Sequence, residues 1–172
     1  NVDAKVREQL RFELLSMQRE LGFAAVYVTH DQAEAMELAH RVAVMREGEI
    51  AQVGPPQEIY LQPSSRYVAD FVGTSNEVRG TVRSISNDVA VVDTDLGEMR
   101  GIPTDGVAVG SAAVAICRPE RTRLAPDEPS SPNRWRGEVR ASAFLGASLE
   151  HVVRVGEHTF RLWSVETKLL EP

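Results

Sequence analysis

One histidine lies where an α/β protein usually carries out its chemistry. His30 follows the apolar run at residues 24–28 and stands directly before Asp31, where a helical pattern begins. The apolar run predicts a buried strand, and ligands of open parallel sheets bind at the carboxyl ends of strands. An imidazole at that place could donate a hydrogen bond to a phosphoryl oxygen or orient an attacking water. His30 is therefore the candidate catalytic residue.

Two other interpretations of His30 stay open on these residues alone. The histidine could simply lie at the cap of the following helix. It could also belong to a His–Asp metal dyad of a phosphohydrolase, which would need further ligands. The other histidines show no coherent ligand spacing, and the sequence therefore predicts no metal site. They are His40, His151 and His158.

The elements around His30 are predicted from the spacing of apolar residues and from helix-end signals. Apolar residues recur every three or four positions over residues 3–21, which indicates a helix with Asp3 as its N-cap. Residues 23–29 form the predicted buried strand, and Asp31 with Glu34 fits a capping box that opens a helix to about residue 40. A hairpin and two helices follow, at residues 41–45 with 50–54, 57–60 and 65–72.

After Gly73 the pattern changes from helical to β-type. Short β runs separated by turn residues predict a small barrel or sandwich. The runs lie at residues 80–84, 89–93, 112–118, 137–144, 149–155 and 159–165. A Pro- and Ser-rich stretch at 125–132 predicts an exposed loop. Residues 78–83 and 135–140 share an aliphatic-or-aromatic–Arg–Gly–x–Val–Arg pattern 57 positions apart, which indicates two related halves.

Composition and charge narrow the class of protein. The 172 residues carry a net charge of −6, whereas nucleic-acid binders usually present a basic patch, so we expect no nucleic-acid partner. The single cysteine, Cys117, excludes an internal disulfide. No apolar run approaches the roughly 20 residues that span a bilayer. The chain begins without Met at an apparent helix entry, and we expect it to be a piece of a longer protein.

The motifs around His30 resemble those of a known family. In order, they are Val28-Thr29-His30-Asp31-Gln32, Arg41-Val42-Ala43-Val44-Met45, Gly48-Glu49-Ile50 and Pro56-x-Glu58-Ile59-Tyr60. This series resembles the carboxyl-terminal part of ATP-binding subunits of ABC importers, in the branch that serves sugars, polyamines and ferric iron. Upstream, Asn1-Val2-Asp3 is similar to the D-loop of that family, with Val2 where Leu is usual. Downstream, Arg118-Pro119-Glu120 resembles the signature of the appended TOBE domain, an OB-like β-module.

The resemblance implies a fold and a set of sites. It implies part of an α/β ATPase core at residues 1–75 and an all-β, OB-like TOBE domain at 76–172. His30 would be the switch histidine that faces the γ-phosphate of ATP. Asn1 and Asp3 would belong to the loop that crosses to the partner subunit in the ATP-bound dimer, while Asp3 could equally serve only as a helix N-cap. Arg118 and its neighbours would form a structural corner or contact a regulatory partner.

The same resemblance implies cofactors, partners and a location. The parent subunit would bind ATP and Mg²⁺, pair with a second copy or a second ATPase subunit, and dock on transmembrane permease subunits. It would lie in the cytoplasm, at the inner face of the cell membrane. Paired β-domains could contact each other through Trp135 or Trp163, although each tryptophan alone is more typical of a core residue.

Several family motifs do not occur in this sequence. It contains no Gly-x-x-x-x-Gly-Lys-Ser/Thr phosphate loop, no Leu-Ser-Gly-Gly-Gln-type signature and no apolar strand that ends in an Asp-Glu pair. Without the phosphate loop, backbone N–H groups and a lysine for the β- and γ-phosphates are lacking. We therefore expect that this chain alone neither binds ATP tightly nor hydrolyses it. An alternative function is a β-module that binds a regulatory protein, a small ligand or an oxyanion independently of ATP.

Overall fold

The chain forms two compact units, residues 1–73 and 74–172, in a computed structural model that describes residues 4–125 and 132–165. The first unit is a mixed α/β structure, and the described part of the second is built from β-strands and one short 3-10 turn.

The first unit contains a hairpin between two pairs of helices. Its described elements are α1 (Ala4–Leu21), α2 (Gln32–Leu38), β1 (Val42–Arg46), β2 (Glu49–Gly54), α3 (Pro56–Leu61) and α4 (Arg66–Val72). Helix α3 begins at a proline, which needs no backbone hydrogen-bond donor in the first turn. Helix α4 begins after Ser65, whose side chain accepts a hydrogen bond from the backbone N–H of Val68.

The core of the first unit joins the hairpin to the two short helices that follow it. Val44, Ile59, Val68 and Val72 are buried together. Tyr67 adds a polar tie, because its hydroxyl donates to the carbonyl oxygen of Met45 at 3.0 Å. These contacts hold β1, α3 and α4 as one packed group.

The predicted strand at residues 23–29 is wrong for this structure. These residues form neither helix nor strand, and Val26 and Val28 are 95% and 91% exposed. A strand requires a neighbour that takes its backbone hydrogen bonds. In the described part of the first unit, strand pairing occurs only between β1 and β2. The helix after Asp31 also ends at Leu38 rather than near residue 40.

The second unit folds into two antiparallel sheets. Its strands are β3 (Asn76–Ser86), β4 (Val89–Thr94), β5 (Gly97–Gly101), β6 (Ala112–Cys117), β7 (Glu138–Phe144), β8 (Leu149–Val155) and β9 (His158–Ser164). The strand orders are β5-β4-β3-β6 and β7-β8-β9. Strand β5 was not predicted from the sequence, and β3 begins four residues earlier than its predicted start.

Alternating side chains of the strands form the core of the second unit. Val78 and Met99 from the four-stranded sheet pack with a group from the three-stranded sheet: Val153, Val155, Phe160 and Leu162. Trp135 packs against this cluster, and its ring stacks on Phe160 at a centroid distance of 6.0 Å. Trp163 is 37% exposed, so it does not belong to this core.

Candidate functional site

The site is a short corner between residue 29 and the start of α2, with His30 at its bend. The imidazole of His30 is exposed. Among the residues that the structure describes, none gives this ring a hydrogen bond. The ring is therefore open to a group that approaches from outside the described chain.

Hydrogen bonds hold the backbone on both sides of His30. The hydroxyl of Thr29 donates to Oε2 of Glu34 at 2.8 Å and accepts from the backbone N–H of Asp31 at 2.9 Å. The phenol of Tyr27 donates to the same Glu34 oxygen at 3.1 Å. Glu34 thus ties the residue before His30 to the helix that follows it.

The carboxylate of Asp31 starts helix α2. Its Oδ1 accepts hydrogen bonds from the backbone N–H groups of Ala33 and Glu34, at 2.9 and 3.2 Å. The sequence predicted a capping box, in which Glu34 would bind back to the N–H of Asp31. The Asp31 half of that prediction is confirmed. In place of the other half, Thr29 receives that N–H, and Glu34 contacts Thr29 and Tyr27.

The position of α2 is fixed by a further polar contact. The side-chain amide of Gln32 donates to the carbonyl oxygen of Phe71 in α4. The helix that follows His30 is therefore attached to the packed group of β1, α3 and α4.

The charge of Glu34 affects the phenol that it contacts. The pKa of Tyr27 is raised above its usual value, chiefly because Glu34 accepts a hydrogen bond from the phenol and to a smaller extent because of burial. The raised pKa extends the pH range over which the Tyr27 phenol stays protonated and donates to Glu34. Sequence reasoning treated Glu34 only as a cap; its place four residues after His30, on the helix that His30 precedes, was the available signal.

The residues around Arg118 form a second polar cluster, in the other unit. Arg118 is 5% exposed, and its Nη1 donates to the carbonyl oxygen of Thr74 at 3.1 Å and to the hydroxyl of Ser75 at 2.8 Å. Its own carbonyl accepts from the Thr122 hydroxyl at 3.1 Å. This is a structural corner that fastens the first residues of the second unit.

Comparison with known proteins assigns both units. The family model for the TOBE domain matches residues 115–168. The spermidine/putrescine import ATP-binding protein of Thermobifida fusca is 40% identical over 161 residues, which are 92% of this chain and 41% of that protein. Its counterpart in Pseudomonas aeruginosa is 38% identical, over 90% of this chain and 43% of the relative. The Fe(3+) ions import ATP-binding protein of Rhizobium meliloti is also 38% identical, over 92% of this chain and 44% of that protein.

The chain belongs to the family of ABC-importer ATP-binding subunits. It spans less than half the length of these curated relatives. The second unit contains the TOBE domain, and the first has the motif order of the ATPase core.

Other predicted site residues of this family member are not placed by the structure. Asn1 and Asp3, the predicted D-loop residues, lie outside the described residues. Within the described ranges, no group of three or more His, Cys, Asp or Glu side chains could hold a metal ion. No described helix is both long enough and apolar enough to cross a membrane.

An open cleft of about 420 Å³ lies in the second unit, which carries the TOBE domain. Its lining carries two arginines and two glutamates: Arg136, Arg154, Glu138 and Glu157. Arg154 is paired with Glu138 at 2.9 Å. Because the charges balance, this cleft does not favour an anion over a neutral ligand.

Proposed function

We propose that the full-length protein carrying this sequence is the ATP-hydrolysing subunit of an ABC importer, and that His30 acts on the γ-phosphate. The imidazole would donate a hydrogen bond to a phosphoryl oxygen or orient the attacking water. Phosphoryl transfer depends mainly on positioning and on stabilisation of charge, so one well-placed donor matters. ATP hydrolysis would be coupled to solute uptake.

The geometry of the His30 corner carries this proposal. Family membership alone would leave the histidine as one exposed side chain among several. The corner adds that residues on both sides of His30 are held by Thr29, Asp31 and Glu34, while the ring itself is open. A histidine whose backbone is fixed, and whose ring forms no hydrogen bond within the described residues, is suited to contact a ligand in one orientation.

The other requirements of the reaction would come from elsewhere in the full-length protein and its assembly. ATP and Mg²⁺ would be held by a phosphate loop and an acidic strand, neither of which occurs in these 172 residues. Asn1 and Asp3 would contact the nucleotide site across a dimer with a second copy or a second ATPase subunit. Permease subunits would bind the assembly at the cytoplasmic face of the membrane. This chain by itself would not turn ATP over.

The choice of solute would lie outside this part of the protein. The relatives from Pseudomonas aeruginosa and Rhizobium meliloti are named for polyamine and ferric-iron import, yet each is 38% identical to this chain. Equal similarity to proteins named for unlike solutes indicates that these residues serve a step common to both.

A comparison of the full-length protein with this chain tests the proposal. Each is incubated with ATP and Mg²⁺, and phosphate release and ATP binding are measured. We expect turnover by the full-length protein and neither tight binding nor turnover by the chain alone. Turnover by the isolated chain, or an inactive full-length protein that still binds a small ligand at its β-domain, would contradict the proposal. The second result would favour the alternative of an ATP-independent binding module.

A further inference from the structure

We infer that Glu34 is a positioning residue for His30, an inference that rests on the proposed function. Its Oε2 accepts hydrogen bonds from Thr29, which precedes His30, and from Tyr27. Glu34 lies in the first turn of α2, whose start is capped by Asp31. Glu34 thus contacts both chain neighbours of His30: its carboxylate accepts from Thr29, and its backbone N–H donates to Asp31.

The Thr29 hydroxyl is the second part of this device. It donates to Glu34 and accepts from the Asp31 N–H, so that it bridges the residues on either side of His30. Loss of either hydrogen bond would make the backbone at His30 more mobile, and the imidazole would no longer be held in the orientation that the reaction needs. Small displacements of this kind can cost a reaction on the order of a hundredfold in rate.

Matched variants of the full-length protein test the role of Glu34. Glu34→Ala and Thr29→Val remove the contacts, whereas Glu34→Gln and Thr29→Ser retain a hydrogen-bonding oxygen. We expect the first two to lower kcat for ATP hydrolysis about tenfold or more, with ATP affinity unchanged, and the conservative pair to restore it. In a His30→Ala background, Thr29→Val should lower hydrolysis no further, because it acts through the histidine.

The outcomes separate this inference from the proposed function. If His30→Ala leaves hydrolysis intact, the proposed function fails. If His30→Ala abolishes hydrolysis but Glu34→Ala does not lower it, only the positioning role fails. A second readout is hydrogen exchange at the Asp31 amide, which should be faster in Thr29→Val and Glu34→Ala but not in the conservative variants. Unchanged exchange in Thr29→Val and Glu34→Ala would overturn the inference.

A second inference comes from the repeated pattern in the β-domain. The two copies are longer than the sequence pattern indicated, because Asn76 and Asn133 occupy matching places two residues before Val78 and Trp135. Each copy ends at a β-bulge, between Val82 and Ser84 in β3 and between Val139 and Ala141 in β7. The bulged residues are therefore Arg83 and Arg140, the last residues of the two patterns.

The glycines of the two copies also match in environment. A Cβ at Gly80 would overlap the carbonyl oxygen of Asp93, and a Cβ at Gly137 would lie 2.5 Å from a methyl group of Val153. In each copy the backbone at the glycine therefore lies close against a neighbouring strand, β4 for Gly80 and β8 for Gly137, and a Cβ there would force a shift. The two three-stranded segments, β3-β4-β5 and β7-β8-β9, are structural repeats.

The two asparagines connect these repeats crosswise. Asn133, from the second repeat, accepts from the N–H of Arg100 and donates to its carbonyl oxygen, both at 2.7 Å. Asn76, from the first repeat, makes the same pair of bonds with Arg161, both at 2.8 Å. Arg100 lies in β5 and Arg161 in β9, which are edge strands of their sheets. Each asparagine therefore satisfies backbone groups that an edge strand would otherwise expose.

The geometry points to a reciprocal clamp, in which each repeat of the β-domain closes the edge strand of the other. The order of either edge strand then depends on the opposite repeat. A change in the structure of one repeat, such as one caused by a bound partner, would alter the edge strand of the other repeat through a defined pair of hydrogen bonds.

Amide hydrogen exchange of this chain tests the clamp residue by residue. Asn76→Ala should speed exchange of the Arg161 N–H at least about fivefold, and Asn133→Ala that of the Arg100 N–H, each with little effect on the other amide. Asn133→Asp, at an exposed position, keeps the acceptor oxygen and should keep the Arg100 amide slower than Asn133→Ala does. Asn76→Asp is not used as a control, because it would bury a carboxylate against the Arg161 carbonyl oxygen. Faster exchange at neither amide, or equal acceleration at both in each alanine variant, would overturn the clamp. If Asn76→Ala does not fold, Asn133→Ala with its aspartate control decides.

Discussion

The side-chain amide of Asn76 forms hydrogen bonds with both backbone polar groups of Arg161, 85 residues away in the chain. Its Nδ2 also donates to the Thr122 hydroxyl at 3.2 Å. Asn76 is 4% exposed, so these bonds are shielded from water. One buried side chain thus joins the start of β3, the edge of β9 and the corner next to Arg118.

Removal of Asn76 should cost more stability than removal of its counterpart. Asn76→Ala removes a buried side chain that forms two hydrogen bonds with the Arg161 backbone, and we expect the free energy of unfolding of the β-domain to fall by about 2 kcal/mol. Asn133 is exposed, so water can replace its bonds, and Asn133→Ala should cost about 1 kcal/mol or less. Urea unfolding followed by tryptophan fluorescence measures both. Equal losses of stability in the two alanine variants would contradict the conclusion that burial makes the bonds of Asn76 more stabilising than those of Asn133.

The close approach at the repeat glycines gives a prediction with a control in the same domain. Gly80→Ala and Gly137→Ala place a methyl group against Asp93 and Val153, and each should lower the free energy of unfolding by about 1–3 kcal/mol. Gly101 is the matched control, because a Cβ there meets nothing within 4 Å. Gly101→Ala should change stability by less than about 0.5 kcal/mol. A neutral Gly80→Ala would show that β3 and β4 are not held so closely.

The contact between Tyr27 and Glu34 can be followed through the ionisation of the phenol. The pKa of Tyr27 is raised because Glu34 accepts its hydrogen bond. The bond is therefore present at neutral pH and is lost as the pH rises through the raised pKa. Glu34→Ala removes the acceptor and should lower the pKa of Tyr27 toward its usual value, as measured by NMR of labelled tyrosine in an alkaline titration. Glu47→Ala, a change in the turn between β1 and β2, should leave the pKa of Tyr27 in place. An unchanged pKa of Tyr27 in Glu34→Ala would contradict the contact.

The sequence predicted elements well where the signal was local. The Asp31 cap and the short helices α3 and α4 depend on neighbouring residues, and each lies within one residue of its predicted place. The strand at 23–29 depended instead on a partner strand, which the described residues do not supply. Strand β5 was missed because its Gly-Glu-Met-Arg-Gly sequence has few β-forming residues and owes its place to pairing with β4.

The candidate site was also predicted only in part. His30 and its place before a capped helix follow from residue types alone. The role of Glu34 does not, because its contacts with Tyr27 and Thr29 depend on how the chain bends at His30. The repeat was visible as Arg, Gly and Val at fixed spacing. The asparagines at its start were not recognised, because their partners lie in strands that only the fold brings close.

The most direct test of the account is hydrolysis by a His30→Ala variant of the full-length protein, with His40→Ala as the matched control. His40 is an exposed histidine ten residues further along the same unit. We predict that His30→Ala lowers kcat about a hundredfold or more, while the Kd for ATP changes less than about threefold. His40→Ala should hydrolyse ATP at the normal rate. Unchanged turnover in His30→Ala, with ATP bound normally, would contradict the central claim that His30 acts on the γ-phosphate.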